Sequence, residues 1–205
     1  MRGDNFFEPA AFGNALCDRI PPMIPEEARE PDAAAAINPF TAADVASILR
    51  EQGWLAGEPS PDQLAWCAHA AAILGTHAAD RRALSGLLKL VFQYDAAEVL
   101  RHVENHAVLS RYAAREVLRQ LALLLLDGAP LTSERFKEIV SALKDGLGVR
   151  GRDLFHPIRL ALAGRAGEGE LDRVILLLDE AAGLSFAVEV KPARQRILEF
   201  CASID

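Results

Sequence analysis

The stretch PFTAADVASILREQGW, residues 39–54, reads as a helix with both of its ends marked. Thr41 is a good N-cap, and Asp44 stands three residues on, the spacing at which each member of a capping box satisfies the other's backbone N–H. Phe40 and Val45 are placed to close a hydrophobic staple over that cap, and Gly53 suits the exit. The same pattern recurs along the chain. In PSPDQLAWCAHAAAIL (59–74) Ser60 caps, Pro61 takes the first helical position and Gln63 completes a box. Asp95 caps YDAAEVLRHVENHAVL (94–109), with Glu98 at the third position. A further helix is expected over about 107–127, through SRYAAREVLRQLALLLLD (110–127), ended by Gly128 and Pro130. Thr132 caps LTSERFKEIVSALKDGLG (131–148), which stops near Gly146 and Gly148. Only SFAVEVKP (185–192) alternates like a strand. One strand makes no sheet, so it reads as a connector into a last helix, PARQRILEFCASI (192–204).

Composition agrees with these caps. Of 205 residues, 51% are apolar, and much of that is Ala and Leu rather than the β-branched and aromatic residues that strands favour. The expected fold class is all-α, in two helical subdomains, 40–128 and 129–205, divided near Gly128–Pro130. Residues 1–39 form a lead-in. IPPMIPEEAREPDAAAAINP (20–39) is rich in proline and acid and reads as an extended or poorly ordered arm. NFFEPAAFGNAL (5–16) is apolar enough to pack on the body or on a second copy, so a protein partner or a homodimer through this N-terminal arm is one expectation.

The net charge of −7 is unevenly spread, with 4 basic against 10 acidic residues in the first sixty and near balance after them. The acidic excess therefore neither requires nor excludes nucleic acid. Cys17, Cys67 and Cys201 are odd in number and lack ligand spacing, which speaks against a disulfide framework or a metal site. No signal peptide opens the chain and no apolar run approaches a membrane span. A cytoplasmic protein with no membrane partner and no cofactor is expected.

Side chains that could carry chemistry are sparse. On the helix expected over about 107–127, Arg111, Arg115 and Arg119 recur every four residues and form one basic stripe. Such a stripe can track a phosphate backbone, or be a solvated face paired with Glu116. His102 and His106 stand at a metal-compatible step with no third ligand in view. Cys67 lacks a base and orienter to make it a nucleophile with His69 or His77. Trp54, Trp66, Phe92, Tyr94 and Tyr112 could stack on splayed bases or fill the core. No nucleophile, base and orienter come together, so no catalysis is expected.

The run LFHPIRLALAGRAGEGEL (154–171) resembles the C-terminal, anticodon-binding region of bacterial glutamyl-tRNA synthetases. Leu154, Phe155, Pro157, Arg159, Ala161, Leu162, Gly164, Gly169 and Leu171 match that family's pattern. The likeness is dense over about 130–172 and thinner but collinear over about 45–130, where HAADRRALSGLLKLVFQYD (77–95) is similar to an earlier helix. KPARQRILEF (191–200) looks like the family's final helix. Ala163 replaces a threonine, His156 stands where an apolar residue is usual, and the segment from 176 to 191 departs from the usual short link. The family's two ATP-site signatures are absent. Physically, Pro157 suits the first turn of a helix, Phe155 can staple it and Gly164 can end it, while Gly169 belongs to the loop that follows. Arg159 either satisfies carbonyls of an adjacent helix or faces a ligand.

The resemblance implies a stand-alone, non-catalytic tRNA-binding module, with glutamate tRNA the first candidate partner. Phosphate contacts are expected from Arg81, Arg82, Arg111, Arg115, Arg119, Arg150, Arg152 and Arg165, with Arg159 as a further candidate. The alternative is a helical scaffold that has lost RNA binding and docks on protein instead.

Overall fold

The computed structural model describes residues 38–204, so the expected arm of residues 1–39 and Cys17 lie outside the described residues, Asn38 and Pro39 apart. Within them the chain is all-α, with no strand. Helix α1 (Ala42–Glu51) opens on the Thr41–Asp44 box: the Thr41 amide donates to Asp44 Oδ2 at 2.8 Å, and the Asp44 amide to Thr41 Oγ1 at 3.3 Å. Helix α2 (Pro61–Leu74) opens on Ser60 and Gln63 with Pro61 in its first turn. Asp80 caps α3 (Arg81–Phe92) and Asp95 caps α4 (Ala96–Arg101). Then come α5 (Val103–Leu109), α6 (Ala114–Leu125) and α7 (Ser133–Leu147), the last capped by Thr132 and closed by Gly148. Helices α8 (Arg152–Ala163), α9 (Glu170–Leu176), α10 (Leu178–Ala182) and α11 (Ala193–Ile204) complete the order. Among the described residues no helix is long and apolar enough to cross a membrane.

The helices share one core, running from Val45 and Ile48 on α1 through Leu118 and Leu121 on α6 to Ile197 and Phe200 on α11. At its α1–α3 end sits an aromatic knot. Trp54 stacks on Phe92 at 4.9 Å, and Phe186 meets Phe92 edge-on at 4.9 Å and Trp66 at 5.3 Å. Phe186 explains the strand-like alternation of residues 185–192. Although the backbone bends at Ala187 and Val188, burial still alternates: Phe186 and Val188 are half-buried and Val190 is buried, while Ser185, Ala187 and Glu189 stay exposed. The segment pairs with no strand; it is held by the Ala187 amide on the Trp54 carbonyl at 2.8 Å, and by the Ser185 carbonyl, which accepts from Gln63 Nε2 at 2.9 Å. Gly75, just past α2, is fixed by space: a Cβ there would collide with the side-chain oxygen of Asn38, whose amide nitrogen donates to the Ala71 carbonyl.

A fully buried arginine, which sequence reasoning missed, locks the centre. Arg196 on α11 donates to the carbonyls of Leu90, Val91, Leu162 and Lys191. The last carbonyls of a helix have no downstream N–H, and Leu90 and Val91 end α3 while Leu162 ends α8. The neighbouring orphan, the Ala161 carbonyl, accepts from the Tyr94 hydroxyl, whose ring lies 4.6 Å from the guanidinium. Burial pushes Arg196 down to about 10, which leaves it charged at neutral pH, and pushes the Tyr94 hydroxyl up. The signal was available: with Ala193, Ile197 and Phe200, Arg196 falls on the apolar face of α11 by helical spacing.

Candidate nucleic-acid interface

The single helix expected over 107–127 is broken. The chain leaves α5 at Leu109, turns through residues 110–113 and re-enters helix at Ala114. Ala113 has φ +63°, the one non-glycine residue with positive φ among those described. Arg111 therefore stands off α6 and the three-arginine stripe does not form. Instead the Arg111 guanidinium reaches α8, 3.7 Å from Asp153 and 3.5 Å from His156 Nδ1. His102 and His106 are likewise separated, because His102 is extended (φ −77°, ψ 118°) and divides α4 from α5.

Pro157 stands sixth in α8, not in its first turn, which begins at Arg152 after Gly151. An interior proline removes the amide that would bond the carbonyl four residues back. Its ring is buried, as are Leu154 and Ile158 on the same helix. Phe155 is half-buried, with the Arg159 guanidinium 4.9 Å over its ring. Gly164 ends the helix at φ +76°, where a Cβ would also press on Val99 at 3.3 Å. Gly169 precedes α9.

Arg159 is only 7% exposed. It grips Asp172 with two bonds of 2.7 and 2.8 Å and donates to the Gly167 carbonyl at 2.6 Å, so one side chain binds α8, the loop after it and α9 together. His156 beside it is held neutral at pH 7: desolvation, then the charges of Arg111, Arg152 and Arg159, lower its pKa against a weaker opposite pull from Glu168.

The remaining arginines divide sharply. Arg81 ties α3 to α1 through Glu51 at 2.6 Å and Ser47 at 2.9 Å. Arg119 meets Glu116 at 3.3 Å, Arg152 meets Glu168 at 3.6 Å, and Arg165 meets Glu170 at 3.9 Å. Arg82, Arg115 and Arg150 are exposed and face no carboxylate among the described residues. Arg111, Arg152, Arg159 and Arg165 thus gather around α8 and its following loop, Arg81 and Arg82 start α3, and Arg115 and Arg119 stay on α6. Of the aromatic residues considered for stacking, Trp54, Trp66 and Phe92 are consumed in the knot and Tyr94 by its hydroxyl bond. Tyr112 is 89% exposed. Beside its turn lies an open groove of about 830 Å3 lined by His106, Arg111, Arg115, Glu116, Ser203 and Ile204 among others.

Residues 34–182 match the family described as anticodon binding domain, and the chain belongs to that family. It is 36% identical over 86 residues to glutamate–tRNA ligase 2 of Syntrophus aciditrophicus, covering 42% of this chain and 16% of that protein. It is 31% identical over 137 residues to glutamate–tRNA ligase of Exiguobacterium sibiricum, covering 64% and 27%. The ligase of Desulforudis audaxviator is 30% identical over 141 residues, covering 65% and 27%. The chain thus spans 16–27% of the length of these curated relatives. No solved structure matches. The resemblance to the anticodon-binding region of glutamyl-tRNA synthetases is borne out, and the matched family is a binding domain, with no catalytic domain in the match.

Proposed function

We propose that this chain, as a member of the anticodon binding domain family, is a tRNA-binding module that performs no ligase chemistry of its own. Membership carries the reading: the match to 34–182 spans α1 to α10, and the relatives it aligns with are named as glutamate–tRNA ligases. Glutamate tRNA is therefore the first ligand to try. The candidate arginines differ in what phosphate binding would cost them. A paired arginine must give up its carboxylate before it neutralises a phosphate, whereas Arg82, Arg115 and Arg150 are ready to do so. If these three neutralise about three phosphates, they contribute about −2 to −3 to the slope of log affinity against log salt.

The test is binding of labelled glutamate tRNA to the purified protein at about 50 and 200 mM salt, with an unrelated tRNA as control. Salt-sensitive binding that prefers glutamate tRNA supports the reading. No binding at the lower salt overturns it.

A further inference from the structure

The exposure of Tyr112 has no account in the packing of the fold. Large aromatic side chains bury most of their surface when folding alone decides their position, yet Tyr112 is 89% exposed while its neighbour Ala113 is driven into left-handed backbone. The turn that carries it is anchored. The Arg111 amide donates to the Val108 carbonyl, the Ala114 amide to the Arg111 carbonyl, and the Arg111 side chain reaches Asp153 and His156 on α8. Tyr112 lies between two residues, Arg111 and Ala113, that line the groove of about 830 Å3. That volume falls within the roughly 300–1,000 Å3 of sites for small organic ligands.

The groove's charge is favourable to an anion. Arg115 has no carboxylate partner among the described residues, and Arg111 has only the long 3.7 Å contact with Asp153. Glu116, the acid in the lining, is engaged by Arg119 at 3.3 Å and Gln120 at 2.9 Å. An exposed aromatic face on a fixed turn, beside one unpaired guanidinium and one held only by a long contact, is a combination that holds unpaired nucleotides: the ring takes the base and the cation takes the backbone.

We propose that the turn at 110–113 is a stacking site for one unpaired RNA base, with Tyr112 as the platform and Arg115, assisted by Arg111, on the adjoining phosphate. The proposal rests on the RNA-binding reading above and gives it a place of contact. A duplex keeps its bases stacked on each other, so the site takes single-stranded or looped RNA and not a blunt duplex.

Full-length protein is titrated with intact tRNA and, separately, with a short single-stranded RNA carrying one 2-aminopurine, whose fluorescence falls on stacking. Tyr112→Ala is expected to weaken both by about tenfold and to abolish the fluorescence change even at saturation. Tyr112→Phe keeps the ring and stays within about twofold of the wild type. Arg115→Gln keeps the fluorescence change but lowers the salt slope by about 0.7. Because Tyr112 is exposed, the variants should melt with the wild type. If the wild type binds tRNA and Tyr112→Ala binds equally well with the same quenching, the stacking site is overturned while the tRNA-binding reading stands. If the wild type binds neither RNA, both are overturned.

Discussion

Replacing Arg196 with methionine probes the lock at the centre of the fold. Methionine keeps most of the bulk and adapts to irregular space, but it donates nothing to the carbonyls of Leu90, Val91, Leu162 and Lys191. A buried acceptor left without a donor costs about 1–3 kcal/mol. Three of these four end helices α3 and α8, where no other amide can reach them. Their loss sums to about 3–9 kcal/mol, with entering water holding it toward the lower figure. An opposing effect comes from the charge itself: burial lowers the Arg196 pKa to about 10, so part of what the bonds give is spent on desolvation. Methionine escapes that cost, which leaves a net destabilisation of about 3 kcal/mol. For a chain of this size Tm then falls by about 6–12 °C. The assay is thermal unfolding followed by tryptophan fluorescence, since Trp54 and Trp66 both pack on Phe92 at the end of α3. Arg196→Lys restores a point charge without the planar fork and falls between. Arg194→Met, on the exposed side of the same helix, should melt with the wild type. An Arg196→Met protein melting within about 2 °C of the wild type would refute the account of carbonyls stranded at two helix ends.

Three further outcomes follow from the site. Asp172→Asn leaves Arg159 buried without its carboxylate and should cost about 3 kcal/mol, read as a fall in the urea midpoint; the double change Arg159→Met, Asp172→Leu should recover much of it. For His156 the folded pKa lies below the unfolded value near 6.5, so the unfolded chain takes up the proton first. Stability from this group is present above pH 6.5 and falls as pH drops below it; melting at pH 7.5 and 5.5 should show a smaller loss in His156→Gln than in the wild type. Ala113→Gly relieves left-handed backbone and should raise stability by about 0.5–1 kcal/mol, so a lower Tm would show that the alanine methyl packs usefully.

Helix starts were legible because a cap is a local relation: Thr41 with Asp44, Ser60 with Gln63, Asp95 with Glu98 and Thr132 with the Arg135 amide lie within three residues. The break at 110–113 was not, since SRYAAREVL contains neither glycine nor proline. What the break makes possible is tertiary, the contact of Arg111 with Asp153 and His156 more than forty residues away. Pro157 misled for a related reason. The preference of proline for a helix start is a statistical consequence of its missing amide, and in α8 the proline stands further in with its ring buried.

The site was legible as a set of residues and not as a charge distribution. Spacing on one helix predicts which arginines could share a face, but not which carboxylates the fold brings to them. Arg81 finds Glu51 thirty residues back, Arg152 finds Glu168 and Arg159 finds Asp172. The effect on binding is more than a reduced count of free cations. Where a guanidinium already holds a carboxylate, phosphate must displace that partner, and the net gain is the difference between two similar contacts. Affinity then depends more on groups with nothing to give up, among them Arg82, Arg115, Arg150 and the open face of Tyr112. Two of these, Arg115 and Tyr112, meet at one turn, so RNA binding by this chain should be lost more readily by changes at 110–115 than by neutralising arginines around α8, although α8 carries the closest likeness to the family.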